Sequence, residues 1–423
     1  MHPEVTGDGP GSCPKCGMDL VPREAAGGAA DSAHDHEGHG HSGDAGHEST
    51  DREEGSGETG HGDHESGGEG SGEHEGHGGM DHGEMDFMSM VAMTEGTPRS
   101  SDGLQMEWAA APFGPLTPGL PGGLSLTFTL DGDTVAEAKV TGVRALDQEG
   151  SGDASAQGLP DRLAGINPLS PVTYRVLGLR AVEAMAGVEE DERTALGRVG
   201  ALERERAAGH LGWLSDLGRL LGYPRLSRRA GKLQISLLRA RDADEVARLT
   251  PEIGGVLRRV SRTPLLPRRL KGVGLLPDPA NASGPVARAG GLGRDVRGDD
   301  AVYASLGFGP VVREGDDAFA RLGVRLAEIE QSLGLVRAAG FVPVPEAAPV
   351  EGASGSGEAT VETPRGAASL RIEAETGTVT ALEIDAPSAR HAGLVGAVAE
   401  GKELADALVG VASLDLSPWE VAG

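Results

Sequence analysis

Cysteine is nearly absent from this sequence. Of 423 residues only Cys13 and Cys16 are cysteines, and none follows them. That excludes a disulfide framework, and it leaves no thiolate to ligate a metal anywhere in the body of the chain. A lone Cys-x-x-Cys pair points instead to metal or redox chemistry in a reducing compartment. Long apolar runs are missing too. No stretch of about 18 apolar residues occurs, so no transmembrane helix is expected. The N-terminus lacks a basic segment followed by an apolar one, so no secretory signal is expected and the protein is placed in the cytoplasm. Aromatic residues make up only 3% of the chain. Basic side chains interleaved with aromatics are therefore not to be found, and the formal net charge of -27 weighs further against a nucleic-acid partner.

What is present is unevenly distributed. Between Glu24 and Met90 there are 18 acidic residues against one basic residue, Arg52, together with ten of the 13 histidines. Apolar side chains are almost missing there until Phe87, so this segment cannot bury enough surface to offset its ordering entropy and is expected to be disordered. The chain divides accordingly into a short Pro- and Gly-punctuated segment at 1–23, a His/Gly/Asp/Glu-rich linker at 24–90, and a globular part at 91–423.

The globular part reads as α+β. Apolar runs at Leu124–Leu130 and Thr134–Val140 flank Asp131-Gly132-Asp133 and predict a hairpin, with the two aspartates as turn residues. Val199, Leu202, Leu214, Leu217 and Leu221 fall near one face of a helix. A second helix is marked by Phe319, Leu322, Leu326, Ile329, Leu333 and Val336, which step by three and four. A second hairpin is expected about the Thr376-Gly377 turn. The Pro-, Ala-, Gly- and Ser-rich stretch from Pro343 to Gly357 reads as a surface loop. The architecture expected is a central long-helix bundle with β-hairpins at both ends, preceded by a small metal knuckle and the linker.

Thiolates are soft ligands suited to Zn or Cu(I), and two of them leave such an ion under-coordinated. His2, Met18 or the histidine tract can complete the shell around Cys13 and Cys16; the bland alternative is a knuckle that holds no metal. Met80, Met85, Met88, Met90 and Met93 add thioethers of the kind that select Cu(I). Residues Met1–Val5, Pro10-Gly11, Cys13-Pro14-x-Cys16-Gly17-Met18-Asp19-Leu20-Val21-Pro22 closely resemble the heavy-metal-binding domain found beside copper-transporting P-type ATPases and efflux adaptors. That family usually carries Cys-Pro just before Met-His, so a start upstream that adds a third thiolate is expected. Otherwise His2 or the tract supplies the missing ligands.

From about Phe113 onward, "GLPGGLSLTFTLDGDTV", "ALERERAAGHLGWLSDLG", "GPVARAGGLGRDVRGDD", "REGDDAFARLGVRLAEIEQSL", "TPRG" and "LADALVGVASLD" resemble two related families. One is the large subunit of membrane-bound, energy-converting nickel–iron hydrogenases. The other is the quinone-site subunit of respiratory complex I, known as the D subunit of NADH-quinone oxidoreductase. The hydrogenases hold nickel and iron on two Cys-x-x-Cys pairs. The positions that match those ligands are Ala164, Asn167, Ser417 and Glu420, so no nickel–iron centre is expected. Complex I relatives hold the quinone head with a histidine and a tyrosine. The matching loop "PFGPLTPGLPGG" has no histidine, the tyrosine is missing near Ala164–Gly165, and a usual acidic position falls at Leu220.

His210, in "AAGHLGWL", reads as a core histidine bonded between helices. Arg258, Arg259, Arg262, Arg268, Arg269 and Lys271 form a run without acids, read either as contact with an acidic neighbouring subunit or as a solvated face. The resemblance implies partners: an iron–sulfur small subunit, which would carry the only iron–sulfur centres, and ion-translocating membrane subunits on the inner face of a prokaryotic membrane. Such assemblies move electrons between NAD(P)H, ferredoxin or hydrogen and an acceptor such as quinone. With its ligand positions substituted, this chain is expected to contribute structure and coupling rather than catalysis. The alternative is a Cu/Zn buffer or sensor protein built on a redeployed scaffold.

Overall fold

Alternation and turn chemistry generate the first sheet. In the computed structural model, which describes residues 108–143, 154–340, 350 and 352–422, β2 (Ser125–Asp131) and β3 (Thr134–Thr141) pair antiparallel about Gly132-Asp133. A strand the sequence did not suggest, β1 (Ala109–Phe113), adds to the outer side of β2 and makes the sheet three-stranded. Its Ala- and Pro-rich sequence carries no apolar alternation; pairing with β2 and the Phe113 ring, 5.7 Å from that of Phe128, hold it there.

The second expected hairpin is likewise the middle of something larger. Strands β6 (Gly366–Glu375) and β7 (Thr378–Asp385) turn at Thr376-Gly377 inside a four-stranded sheet of order β4-β7-β6-β5, where β4 is Ala154–Ser155 and β5 is Gly355–Thr363. The surface-loop reading of 343–357 therefore fails at its end, because Gly355–Gly357 belong to β5. Small residues stand there because the strand lies against a helix backbone. A Cβ on Gly357 would fall 2.0 Å from the Ala181 carbonyl oxygen.

The helices are α1 (Leu159–Ile166), α2 (Pro171–Ala186), α3 (Glu192–Leu220), α4 (Pro224–Arg239), α5 (Ala243–Ser261), α6 (Leu266–Leu270), α7 (Gly284–Ala289), α8 (Ala301–Ser305), α9 (Ala318–Ala339), α10 (Pro387–Ala392), α11 (Val395–Ala399) and α12 (Leu404–Leu414). At 1.5 Å per residue, α3 runs for about 44 Å and α9 for about 33 Å. Asp191 caps α3 by accepting from the Thr194 N–H at 2.8 Å, and Asp317 caps α9 from the Ala320 N–H at 2.8 Å. Gly340, in the left-handed conformation at φ 73°, ends α9. The short connection 240–242 folds α5 back along α4, and Arg229 reaches Glu252 across the pair at 3.4 Å.

The core is apolar where these helices meet: Leu211, Leu214, Leu233, Leu237, Ile253, Leu322, Ile329 and Val336 pack together. Helix α2 lies across β5 and β6, with Tyr174, Leu177, Val361, Leu370 and Ile372 between them. One expectation was too narrow. The apolar stripes of α3 and α9 are present, but charged residues outside those stripes are buried as well, and α9 keeps only Glu330, Gly334, Arg337 and Ala338 exposed. Arg198, Arg206, Arg321 and Arg325 are among the largest fully buried side chains. In a chain with so few aromatics, arginine stems fill interior volume and each guanidinium must find acceptors.

Arg206 finds them in an ionic network between α3, α7, α9 and β5; Arg198 instead pairs with Glu183, and Arg321 donates to Ser413 Oγ and the Gly274 carbonyl, each at 2.7 Å. Glu203 accepts from Ser332 Oγ at 2.6 Å and Tyr303 OH at 2.8 Å and pairs with Arg206 and Arg297 at 3.2 Å. Burial opposes its charge, yet the arginines and hydroxyls hold the carboxyl down at about 2. Arg288 donates to Glu328 at 2.9 Å and Glu362 at 2.8 Å, and Arg297 to Asp295 at 2.6 Å. His210 joins here, its Nε2 2.9 Å from Glu328 Oε2. Burial lowers the pKa of the ring despite Glu328, so the imidazole is neutral and Nε2–H donates to the carboxylate. The core-histidine reading of His210 agrees with this placement.

Candidate functional site

Helix α1 ends at Asn167, whose extended backbone turns the chain toward α2. The segment after α12 begins at Asp415, in the left-handed conformation at φ 60°. Together these two chain reversals bring distant positions into one buried cluster. Asn167 Nδ2 donates to Glu420 Oε1 at 2.6 Å, and Ser417 Oγ donates to Asn167 Oδ1 at 3.2 Å. Tyr174 OH donates to the same Glu420 oxygen at 2.9 Å, while the Ser388 N–H donates to Oε2 at 2.9 Å. Ser388 Oγ in turn accepts from the Ser417 N–H at 2.9 Å. Burial first, then Glu420, raises the Tyr174 phenol well above its ordinary range, so it stays a neutral donor.

Three of the four positions singled out in the sequence are thus in mutual contact. Ala164 is one turn before Asn167 on α1, half-buried, and offers only a methyl group. A methyl, a carboxamide, a hydroxyl and a carboxylate already engaged at both oxygens make a poor donor set for nickel and iron, which the hydrogenases hold on thiolates. The residues do not fit that centre.

Beside the cluster, the loop 114–124 between β1 and β2 closes over α3 and α4 and leaves a cavity of about 330 Å³. Gly119, at φ +94°, allows the approach: a Cβ there would stand 2.6 Å from Leu220. Its walls include Gly119–Gly122, Trp213, Asp216, Gln234, Arg365, Asp415 and Trp419. Arg365 binds Asp415 twice, through Nε to the carbonyl at 3.0 Å and Nη2 to Oδ1 at 3.1 Å. Asp415 Oδ2 accepts no hydrogen bond among the described residues and faces Arg325 Nη2 at 4.0 Å. The Arg325 guanidinium lies 4.4 Å over the Trp213 ring, whose Nε1–H donates to the Ala412 carbonyl at 2.8 Å.

Sequence reasoning missed Asp216. Leu220 was read as the lost acidic position, but a carboxylate does line the cavity, one turn earlier on α3. Burial raises it to about 6, against the pull of Arg219 and with help from Asp415. The signal available was an acid within the buried pattern of Trp213, Leu214 and Leu217. His391 is also buried; its Nε2 accepts the Ser283 N–H at 3.1 Å, and burial with nearby arginines lowers it to about 3. His2, Cys13, Cys16 and Met18 lie outside the described residues, as do the linker and its methionines. Among the described residues no group of three or more His, Cys, Asp or Glu side chains could hold a metal ion, and no helix is long and apolar enough to cross a membrane.

Two long helices flanked by antiparallel sheets, with a polar cluster at the positions that match the ligand pairs, resemble the large subunits of the hydrogenase and complex I kind. Comparison with known proteins agrees. Residues 1–23 match the heavy metal binding domain family, and residues 243–349 match the family of the respiratory-chain NADH dehydrogenase 49 Kd subunit. The chain is 29% identical over 354 residues to the D subunit of the NADH-quinone oxidoreductase of Desulfotalea psychrophila, covering 72% of this chain and 94% of that one. It is 28% identical over 370 residues to the alpha subunit of the membrane-bound hydrogenase of Pyrococcus furiosus, covering 73% and 86%. A chain in the structure of the membrane-bound sulfane sulfur reductase, an archaeal respiratory membrane complex, shares the fold at a TM-score of 0.67 and 22% identity, over 75% of this chain and 98% of that one. The chain thus combines an N-terminal segment that matches the heavy metal binding domain family with a body similar to the NADH-quinone oxidoreductase D subunit and the hydrogenase alpha subunit.

Proposed function

We propose that this chain is the large subunit of a membrane-associated, complex-I-like assembly, that it serves structure and coupling rather than nickel–iron chemistry, and that its N-terminus is an accessory heavy-metal site. The observation that carries the reading is the Asn167–Ser417–Glu420 cluster. Where a hydrogenase places metal between two chain segments, hydrogen bonds from Asn167, Tyr174 and Ser388 to one carboxylate tie the same segments together here. The neighbouring cavity, with two tryptophans and Asp216, keeps room for a small planar acceptor. An iron–sulfur small subunit and membrane subunits are the partners proposed, on the cytoplasmic face of a prokaryotic membrane. In the assignment by segments, 1–23 is the knuckle, 24–90 the linker and 91–423 the body that resembles the large subunits. When bound, a Zn or Cu ion at the knuckle would supply soft-metal coordination. Cys13 and Cys16 would hold it as thiolates, with His2 and Met18 as the further donors.

Purification of the detergent-solubilised native complex tests the reading. An iron–sulfur subunit should co-purify in fixed proportion, and the complex should not reduce dyes with hydrogen. Hydrogen-dependent dye reduction that survives Cys13→Ser, Cys16→Ser would overturn it. The heavy-metal match and the ten histidines of the linker favour a second reading, a Cu/Zn buffer or sensor. A soluble monomer that holds stoichiometric metal and has no subunit partners is the result that would establish it.

A further inference from the structure

The charge of this molecule is polarised in a way its total conceals. Against a net charge of -27, residues 217–271 carry fourteen basic and four acidic side chains. The four acids, Asp242, Asp244, Glu245 and Glu252, belong to the α4–α5 turn and the first part of α5. There they pair locally: Glu245 with Arg241 and Arg248, Glu252 with Arg229. The opposite end of the helical hairpin has no such compensation. No acidic residue occurs from Ile253 to Pro277. Because α5 runs back along α4, Arg225 and Arg228 at the start of α4 lie at the same end as Arg258, Arg259 and Arg262 at the finish of α5. Arg268 and Arg269 follow on α6. All of these are exposed, and none makes an ion pair among the described residues.

Two further features shape this end. Leu265 sits between Pro264 and Leu266 in the connection to α6, with Arg262 before it and Arg268 after, and is 59% exposed. A depression of about 330 Å³ opens between the end of α5 and α9, lined by Arg258, Arg262 and Arg313 together with Leu257, Leu326 and Glu330. Three guanidiniums over an apolar lining suit a phosphate ester with a hydrocarbon attachment.

We propose that this end of the α4–α5–α6 hairpin binds the anionic phospholipid headgroups of a membrane surface, with Leu265 entering the interface. The proposal rests on the membrane-associated reading above. With no spanning helix among the described residues, attachment falls to partners or to a surface of this kind. A fluid anionic surface demands charge density and one apolar group to bury, and it demands no complementary relief. That matches cations spread over two helix ends and a loop better than it matches a protein groove. Screening keeps the effect local. At about 0.1 M salt the Debye length is about 10 Å, so acids farther than that from the patch do not cancel it.

The test uses the full-length chain and sedimentation with vesicles of phosphatidylcholine alone or mixed with phosphatidylglycerol. Wild type should bind the mixed vesicles and not the neutral ones, with binding lost as salt is raised. Arg258→Glu, Arg262→Glu, Arg268→Glu, Arg269→Glu in one chain should weaken it by about a hundredfold or more. Leu265→Ser, which leaves the charge intact, should weaken it less. Circular dichroism checks that both variants are folded. Equal affinity for the two vesicle types, or wild-type binding by the fourfold variant, overturns the proposal. So does a fourfold variant that sheds its partner subunits in the solubilised complex while wild type ignores the vesicles, since the patch would then face an acidic protein. Vesicle binding and co-purification of partners are separate measurements, so failure of one does not entail failure of the other.

Discussion

Asp216, on the cavity wall, ionises near neutral pH. Burial lifts it from 3.8 to about 6. A carboxyl raised in the folded state holds its proton more tightly there than in the unfolded chain. Its contribution to stability is therefore greatest below the ordinary value, declines as pH rises toward 6, and is lost above it. A pH titration followed through the fluorescence of the cavity tryptophans, Trp213 and Trp419, should show an inflection near pH 6 that Asp216→Asn removes. Identical titrations in the two proteins would contradict the assignment. At this scale the sequence was partly legible. Asn167, Ser417 and Glu420 came from the resemblance, yet Tyr174 and Ser388 did not, since they reach Glu420 from 246 and 32 residues away. Nothing local to either residue encodes that partner.

Secondary-structure elements show where local pattern suffices. Strands β2, β3, β6 and β7 alternate and turn on glycine, and both hairpins were read directly from those features. β5 was not read at all, and its first residues, Gly355, Ser356 and Gly357, have no apolar alternation. Their smallness answers to α2, a tertiary neighbour. The same logic gives two glycine substitutions opposite signs. Gly357→Ala must push β5 off the backbone of α2 and should cost about 1–3 kcal/mol. Gly334→Ala, exposed in the middle of α9 with open space around the new methyl, should stabilise by about 1 kcal/mol. Urea denaturation of the two variants beside wild type measures both, and equal signs would refute the packing argument.

On the scale of the whole molecule, the segment that matches the heavy metal binding domain and the rest of the chain draw on different residues. Every thiolate is in the first, and no core contact of the body uses one. Cys13→Ser, Cys16→Ser should therefore lose one tightly held ion per chain, read by elemental analysis after dialysis. The calorimetric melting of the body should stay in place. Equal metal in the two proteins would remove the site from the knuckle, and a lowered melting temperature would show that the body depends on it. Charge is also organised at this scale: acids crowd the region before residue 91 while a helical hairpin far along the chain is strongly basic.

The sequence by itself determined the mixed α and β character, the hairpins, the two long helices and the lack of thiolates beyond Cys16. Each depends on composition or on spacing within a few residues. The tertiary structure alone decided that charged residues of α3 and α9 would be buried, that their arginines and glutamates would pair inside, and that Asp216 would line a cavity. It also gathered the cations from two helix ends and a loop into one patch. Burial and charge pairing are properties of neighbours in space. Here the neighbours that matter are brought together by chain reversals as far apart as Asn167 and Asp415.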